Sequence, residues 1–135
     1  MERSVRQAQK SDDGRNADIE KNEDGVELNE DDKAFVDKAT AIVMTNIADS
    51  AFTIDMLCRE MAMSRTLFYG RLKTLTGQSP QDFIRVLRLE RAAALLKGGG
   101  TVLEVSIQTG FANVKYFSTV FKKHFGVSPS KYGKG

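Results

Sequence analysis

Two stretches of this chain repeat one another, and that repeat constrains the fold more than any other feature. Ile54, Leu57 and Met63 fall 48 residues before Val102, Val105 and Phe111. One residue is gained at the turn. Thereafter Phe68, Leu72, Lys73, Gly77, Ser79 and Pro80 lie 49 residues before Phe117, Phe121, Lys122, Gly126, Ser128 and Pro129. Each copy reads as a short helix, a tight turn, and a longer helix ending at Gly-x-Ser-Pro. That is the plan of a helix-turn-helix unit. Two copies are too few for a solenoid, so the chain is expected to hold two such units and something that joins them.

Boundary signals place the helices. Phe35, Ala39, Ile42, Val43, Met44 and Ile47 recur at helical spacing after Asp31 and Asp32, which suit a first turn. Ile54, Leu57, Cys58 and Met61 share a face between Thr53 and the break at Ala62-Met63. Ser64 can cap a helix that Gly77 stops near Thr76. Ser79-Pro80-Gln81-Asp82 is a capping-box-like start with Pro at the first helical position, and Gly98-Gly99-Gly100 ends that helix after Lys97. Thr101 with Glu104 opens a short helix to Thr109. Asn113 to His124 follows, closed by Gly126, and Ser128-Pro129 starts a last stub. No stretch alternates like a half-buried strand. The expected fold is all-α, about seven helices, with two helix-turn-helix units at about 53–77 and 101–126 on a linking helix at about 80–97. The domain spans 31–132, and 133–135 is a tail.

A linking helix of 18 residues spans about 27 Å. Two units on such a strut could enter successive major grooves, which repeat at about 34–36 Å. A bundle of helical hairpins that binds protein fits the same pattern, and that alternative stays open.

Composition narrows the function. The longest unbroken apolar run is Ala92 to Leu96, far short of a membrane span. The polar opening Met1 to Lys10 is no signal peptide. One cysteine and one histidine, Cys58 and His124, give no internal disulfide and no multi-ligand metal site. The expectation is a cytoplasmic protein with no catalytic residues, no metal and no cofactor. Residues 1–33 hold 6 Lys/Arg against 11 Asp/Glu, a net of −5, whereas residues 34–135 hold 14 against 7, a net of +7. The basic part suits a polyanionic partner. Residues 1–30 hold few large apolar side chains among Asp, Glu, Asn and Gly. They read as an acidic disordered linker or a native acidic tail.

The longer helix of each unit divides into two faces. Phe68, Leu72 and Leu75 point inward, opposite Arg65, Thr66, Tyr69 and Lys73. Phe117, Val120, Phe121 and Phe125 point inward, opposite Lys115, Ser118, Thr119 and Lys122, with Tyr116 at the boundary. Both outer faces mix donors, small hydroxyls and cations, which suits base edges and phosphates. Arg85, Arg88 and Arg91 form a stripe on the linking helix that could contact phosphate, but it is read as solvated, with Arg91 paired to an acidic neighbour. Cys58 reads as a small core residue, and His124 as a partner of its helix end.

Several ordered motifs carry a family resemblance. They are Arg91-Ala-Ala-x-Leu-Leu, Val105-Ser-x-x-x-Gly110-Phe111, and the run from Tyr116-Phe117-Ser118 through Phe121-Lys122-Lys123-x-Phe125-Gly126-Val127-Ser128-Pro129 to Tyr132. With Met63-Ser64-Arg65 and Leu75-Thr76-Gly77-Gln78-Ser79-Pro80, the sequence over about 34–132 resembles the AraC/XylS family. The resemblance implies two helix-turn-helix units on a linking helix, and transcriptional regulation, commonly activation. It implies double-stranded DNA and RNA polymerase as partners, and no membrane contact by this domain. Carried over by position, its base-reading surface falls on Arg65, Thr66, Tyr69 and Gly70, and on Val114, Lys115, Tyr116 and Thr119; the outer faces themselves add Lys73, Lys122 and Lys123 as expected DNA contacts. Gly70 stands where the family often has Arg, Val114 offers only an apolar contact, and Gly133 follows Tyr132 where Arg is usual. The first unit is also similar to the C-terminal output domain of hybrid two-component regulators. That likeness implies an upstream receiver or sensor domain, with 1–30 as the linker; a free-standing regulator is the rival.

Overall fold

The cap residues explain where the helices begin in the computed structural model, which describes residues 20–21 and 27–134. Most of the segment read as a linker, and Gly135, lie outside the described residues. What is described of it is a two-residue antiparallel ladder, β1 (Glu20–Lys21) with β2 (Glu27–Leu28), a pairing that the sequence pattern does not announce. Helix α1 (Glu30–Thr45) follows, with the Asn29 side chain accepting from Asp32 N at 2.8 Å and three acidic residues in the first turn. Then come α2 (Ile54–Met61), α3 (Arg65–Thr76), α4 (Pro80–Lys97), α5 (Val102–Gln108), α6 (Val114–Phe125) and α7 (Pro129–Lys134). The seven helices make the domain all-α.

Thr101 and Glu104 exchange both bonds of a capping box. At α4 the Ser79 hydroxyl accepts from Asp82 N, while the Asp82 carboxylate pairs with Arg85 one turn on. Only the serine half of the box read from the sequence is therefore in use.

The two units share their backbone plan in detail. After α2 the chain turns at Ala62, whose φ of 58° is left-handed. Met63 N donates to Cys58 O at 3.1 Å across that turn. After α5 the chain turns at Gly110, φ 80°, and Phe111 N donates to Ser106 O at 2.9 Å. Each of these positions is 48 residues from its counterpart. Both longer helices stop at a left-handed glycine, Gly77 and Gly126.

There are two apolar cores, one per unit. The first gathers Phe35, Ala39 and Val43 of α1, Leu57, Cys58 and Met61 of α2, Phe68, Leu72 and Leu75 of α3, and Phe83 and Ile84 early in α4. The second gathers Leu89, Ala92, Ala93 and Leu96 later in α4 with Val105, Phe111, Phe117 and Phe121. Aromatic rings dominate the second. Phe121 lies 5.6 Å from Phe117, 4.5 Å from Phe125 and 5.4 Å from Tyr132 between ring centroids. Thus α4 is a strut whose first half belongs to one core and whose second half belongs to the other.

Candidate nucleic-acid interface

The cores fix which face of α3 and α6 is presented to solvent. Phe68 and its counterpart Phe117 are fully buried, as are Leu72 and Phe121. On the other side of α3, Arg65, Thr66, Gly70 and Lys73 are exposed, and Tyr69 is half-buried against the first core. On the other side of α6, Val114, Lys115, Tyr116, Thr119, Lys122 and Lys123 are exposed. Tyr116, read as a boundary residue, is 52% exposed with its ring 6.3 Å from Phe111. Its place is on the open face.

Sequence reasoning missed Leu67, which is 64% exposed on α3. A leucine in a helix is ordinarily assigned to the core. The 49-residue offset could have found it, because Leu67 is the counterpart of Tyr116.

The polar chemistry of the two faces differs. Arg65 donates to Asp55 on α2 at 3.0 Å and to the Tyr69 hydroxyl at 2.7 Å, and its guanidinium lies 5.3 Å from the Tyr69 ring centroid. The Tyr69 hydrogen bond, then the Asp55 charge, raise its pKa and hold it charged. Arg65 is thereby oriented at the first turn of α3. Lys73 Nζ donates to Gly77 O at 3.0 Å and so helps close its own helix. The counterparts of Asp55 and Arg65 in the second unit are Leu103 and Val114, 58% and 39% exposed. Lys115, Lys122 and Lys123 make no ion pair among the described residues. Thr119 donates its hydroxyl back to Lys115 O at 3.1 Å. A mid-helix glycine is tolerated at Gly70 because the position is open: a Cβ there would meet nothing within 4 Å.

The arginine stripe is not what the sequence suggests. Arg85 pairs with Asp82. Arg88 is half-buried, and burial lowers its pKa while the Asp49 charge partly offsets that. Its guanidinium donates to Asp49 O at 2.9 Å and Gly110 O at 3.3 Å. Arg91 is exposed and forms no ion pair among the described residues. A half-buried guanidinium needs acceptors, and two backbone carbonyls reach Arg88 while no carboxylate among the described residues reaches Arg91. Cys58 is buried as read. His124, exposed in the last turn of α6, sets its ring edge-on to Phe125 at 4.6 Å. Among the described residues no cluster could hold a metal ion, and no helix is long and apolar enough to cross a membrane.

This arrangement of two capped helices with open faces on a shared strut has known counterparts. The helix-turn-helix domain family matches residues 57–135. The chain belongs to the AraC-type helix-turn-helix family. AraC-type relatives include the transcriptional regulator MtrA of Neisseria gonorrhoeae, 34% identical over 81% of this chain and 38% of its own length. A histidine kinase P4 of Formosa agariphila is 37% identical over 75% of this chain, which is 7% of that protein. The chain thus spans well under half of these relatives. Among solved structures, the C-terminal domain of the two-component response regulator YesN of Fusobacterium nucleatum is 29% identical with a TM-score of 0.66, covering 76% of this chain and 98% of that one. The DNA-binding domain of the global transcriptional factor AdpA, solved with a target DNA, is 26% identical with a TM-score of 0.67, covering 73% and 89%. The AraC-type match is to a regulator domain rather than to an enzyme.

Proposed function

We propose that this AraC-type domain is the sequence-specific, double-stranded-DNA-binding output module of a larger transcription regulator. The observation that carries the reading is the pair of open faces on α3 and α6, equivalent by a 49-residue offset and backed by separate cores on one strut. In this reading Arg65, Thr66, Tyr69, Gly70 and Lys73 meet one major-groove segment. Val114, Lys115, Tyr116, Thr119, Lys122 and Lys123 meet the next. Tyr116 and Leu67 supply apolar surface for base edges, and Lys122 and Lys123, without ion pairs among the described residues, supply attraction to phosphates.

The likeness to a response-regulator C-terminal domain and to a short part of a histidine kinase supports an output role behind a receiver or sensor in the cytoplasm. Activation would then bring RNA polymerase to the bound site. The test is selection from a randomised duplex library, followed by equilibrium binding of the selected site at several salt concentrations. The reading expects a recovered consensus and an affinity that falls steeply with salt, because bound lysines release counterions. Recovery of no consensus, with binding indifferent to salt, would overturn it in favour of a helical protein-interaction module.

A further inference from the structure

Helix α4 is packed against helices of both units, α1 and α3 of the first and α5 and α7 of the second. With separate cores, the angle between α3 and α6 depends on how each unit is seated on that strut. One polar contact spans the junction. Arg88 lies between Ile84, the last buried residue of the first core on α4, and Leu89, the first of the second. Its guanidinium holds Asp49 O, in the connection from α1 to α2, and Gly110 O, in the turn of the second unit. Asp49 O also accepts from Phe52 N at 3.1 Å, so the carbonyl is fixed from its own side. The backbones are in close approach here too. A Cβ on Gly110 would lie 2.4 Å from Ile47 O and 2.9 Å from Arg88 Cζ.

We propose that Arg88, acting as a two-carbonyl clamp against the Gly110 turn, fixes the two helix-turn-helix units relative to one another and so sets which half-site spacing the domain accepts. The inference rests on the reading that α3 and α6 both read DNA. Arg88 touches no base in this scheme; it is a positioning residue. A planar guanidinium can serve two carbonyls in fixed directions, and an ammonium cannot hold both in that geometry.

Two measurements test it, on the full chain, with Arg88→Met and Arg88→Lys. The first is binding to the selected site with one or two base pairs inserted or deleted between half-sites. One base pair moves a half-site by about 3.4 Å along the duplex. The wild type is expected to lose about tenfold or more per step, and both variants less than about threefold, while each half-site keeps its own sequence preference. An equal loss of affinity at every spacing would mark a merely structural role and overturn the proposal. So would an unchanged spacing profile, or Arg88→Lys behaving as wild type. The second measurement needs no DNA. Spin labels at Thr74→Cys and Lys123→Cys, exposed counterpart positions, report the distance between α3 and α6 with the buried Cys58 left in place. Arg88→Met should broaden that distribution, and an unchanged width would overturn the clamp. If the wild type selects no DNA but the variant broadens the distribution, the clamp stands as mechanics and the DNA reading fails by itself.

Discussion

The turn positions Ala62 and Gly110 occupy the same place in the two units, yet the structure assigns opposite consequences to exchanging their side chains. Ala62 sits at φ 58°, the one non-glycine residue with positive φ among the described residues, and it is exposed. The left-handed conformation costs an L-residue about 1–2 kcal/mol. Glycine removes that cost but returns about 0.4–1 kcal/mol through the freer unfolded chain. Ala62→Gly should therefore stabilise by about 0.5–1 kcal/mol. Gly110→Ala runs the other way and adds a clash. The backbone penalty returns, and the new Cβ would stand 2.4 Å from the Ile47 carbonyl oxygen, which is main chain and cannot rotate aside. Overpacking of this kind costs about 1–3 kcal/mol; added to the backbone cost and less the roughly 0.4–1 kcal/mol that the stiffer unfolded chain returns, the total loss should be about 1–4 kcal/mol. The protein has no tryptophan, so urea unfolding is best followed by far-ultraviolet circular dichroism. A neutral Gly110→Ala would refute the close approach of the second unit's turn to Ile47. A destabilising Ala62→Gly would refute the claim that the first turn carries backbone strain.

Three further outcomes are expected. Lys115→Ala should cost about 1–3 kcal/mol on the preferred site and relax preference at one base position, whereas Lys122→Ala should weaken all sequences alike and lower the salt slope by about one; a randomised-site library at two salt concentrations separates them, and a uniform loss for Lys115→Ala would make it a phosphate contact. Gly70→Ala should raise stability by about 1 kcal/mol, since helix propensity improves and a Cβ meets nothing within 4 Å; thermal unfolding checks it, and a lowered midpoint would contradict the open position. Burial, with Arg65 opposing and Asp55 reinforcing, raises the Cys58 pKa, so its thiol should react slowly with a thiol reagent in the folded protein near about pH 8 and quickly once unfolded. The same raised value means stability that is full below the unfolded thiol pKa and is lost as pH climbs through the folded one; a native thiol as reactive as the unfolded one would defeat both statements.

Most of the fold is legible in the sequence because its determinants are local or periodic. Ser64, Ser79, Thr101 and Asn113 each sit one residue before a helix, and each side chain accepts from a backbone N–H three residues on. The repeat then predicts which residues of α3 and α6 face inward. Legibility fails where a contact joins residues far apart without leaving a pattern. The partners of Arg88 are backbone carbonyls 39 and 22 residues away. A carbonyl has no residue identity, so nothing in the sequence marks it as an acceptor. Arg71 is similar, held to Asp32 at 3.2 Å and lying 4.4 Å over the Phe35 ring. Leu67 fails for another reason: hydrophobic residues are assigned inward by default, and a leucine on a helix face left open to solvent breaks that rule.

The differences between the repeats say how the proposed interface divides its work. A duplicated backbone does not require duplicated chemistry, because exposed positions are free of the packing that holds the cores alike. The first unit ties its leading cation down, with Arg65 braced by Asp55 and Tyr69, and so presents a donor in a fixed direction. Orientation of that kind favours discrimination between bases. The second unit replaces the Asp55–Arg65 pair with Leu103 and Val114 and leaves Lys115, Lys122 and Lys123 without ion pairs among the described residues. Lys122 and Lys123, on flexible stems further along the helix, act as point charges, which suit phosphates and are tolerant of sequence, and Lys115 is left as the base-facing cation of α6. On this reading α3 contributes more to specificity per contact and α6 more to affinity and its salt dependence. A clamp at Arg88 would be needed for either to inform the other, since a strongly attracted second unit steers the first onto its bases only if the two move as one body.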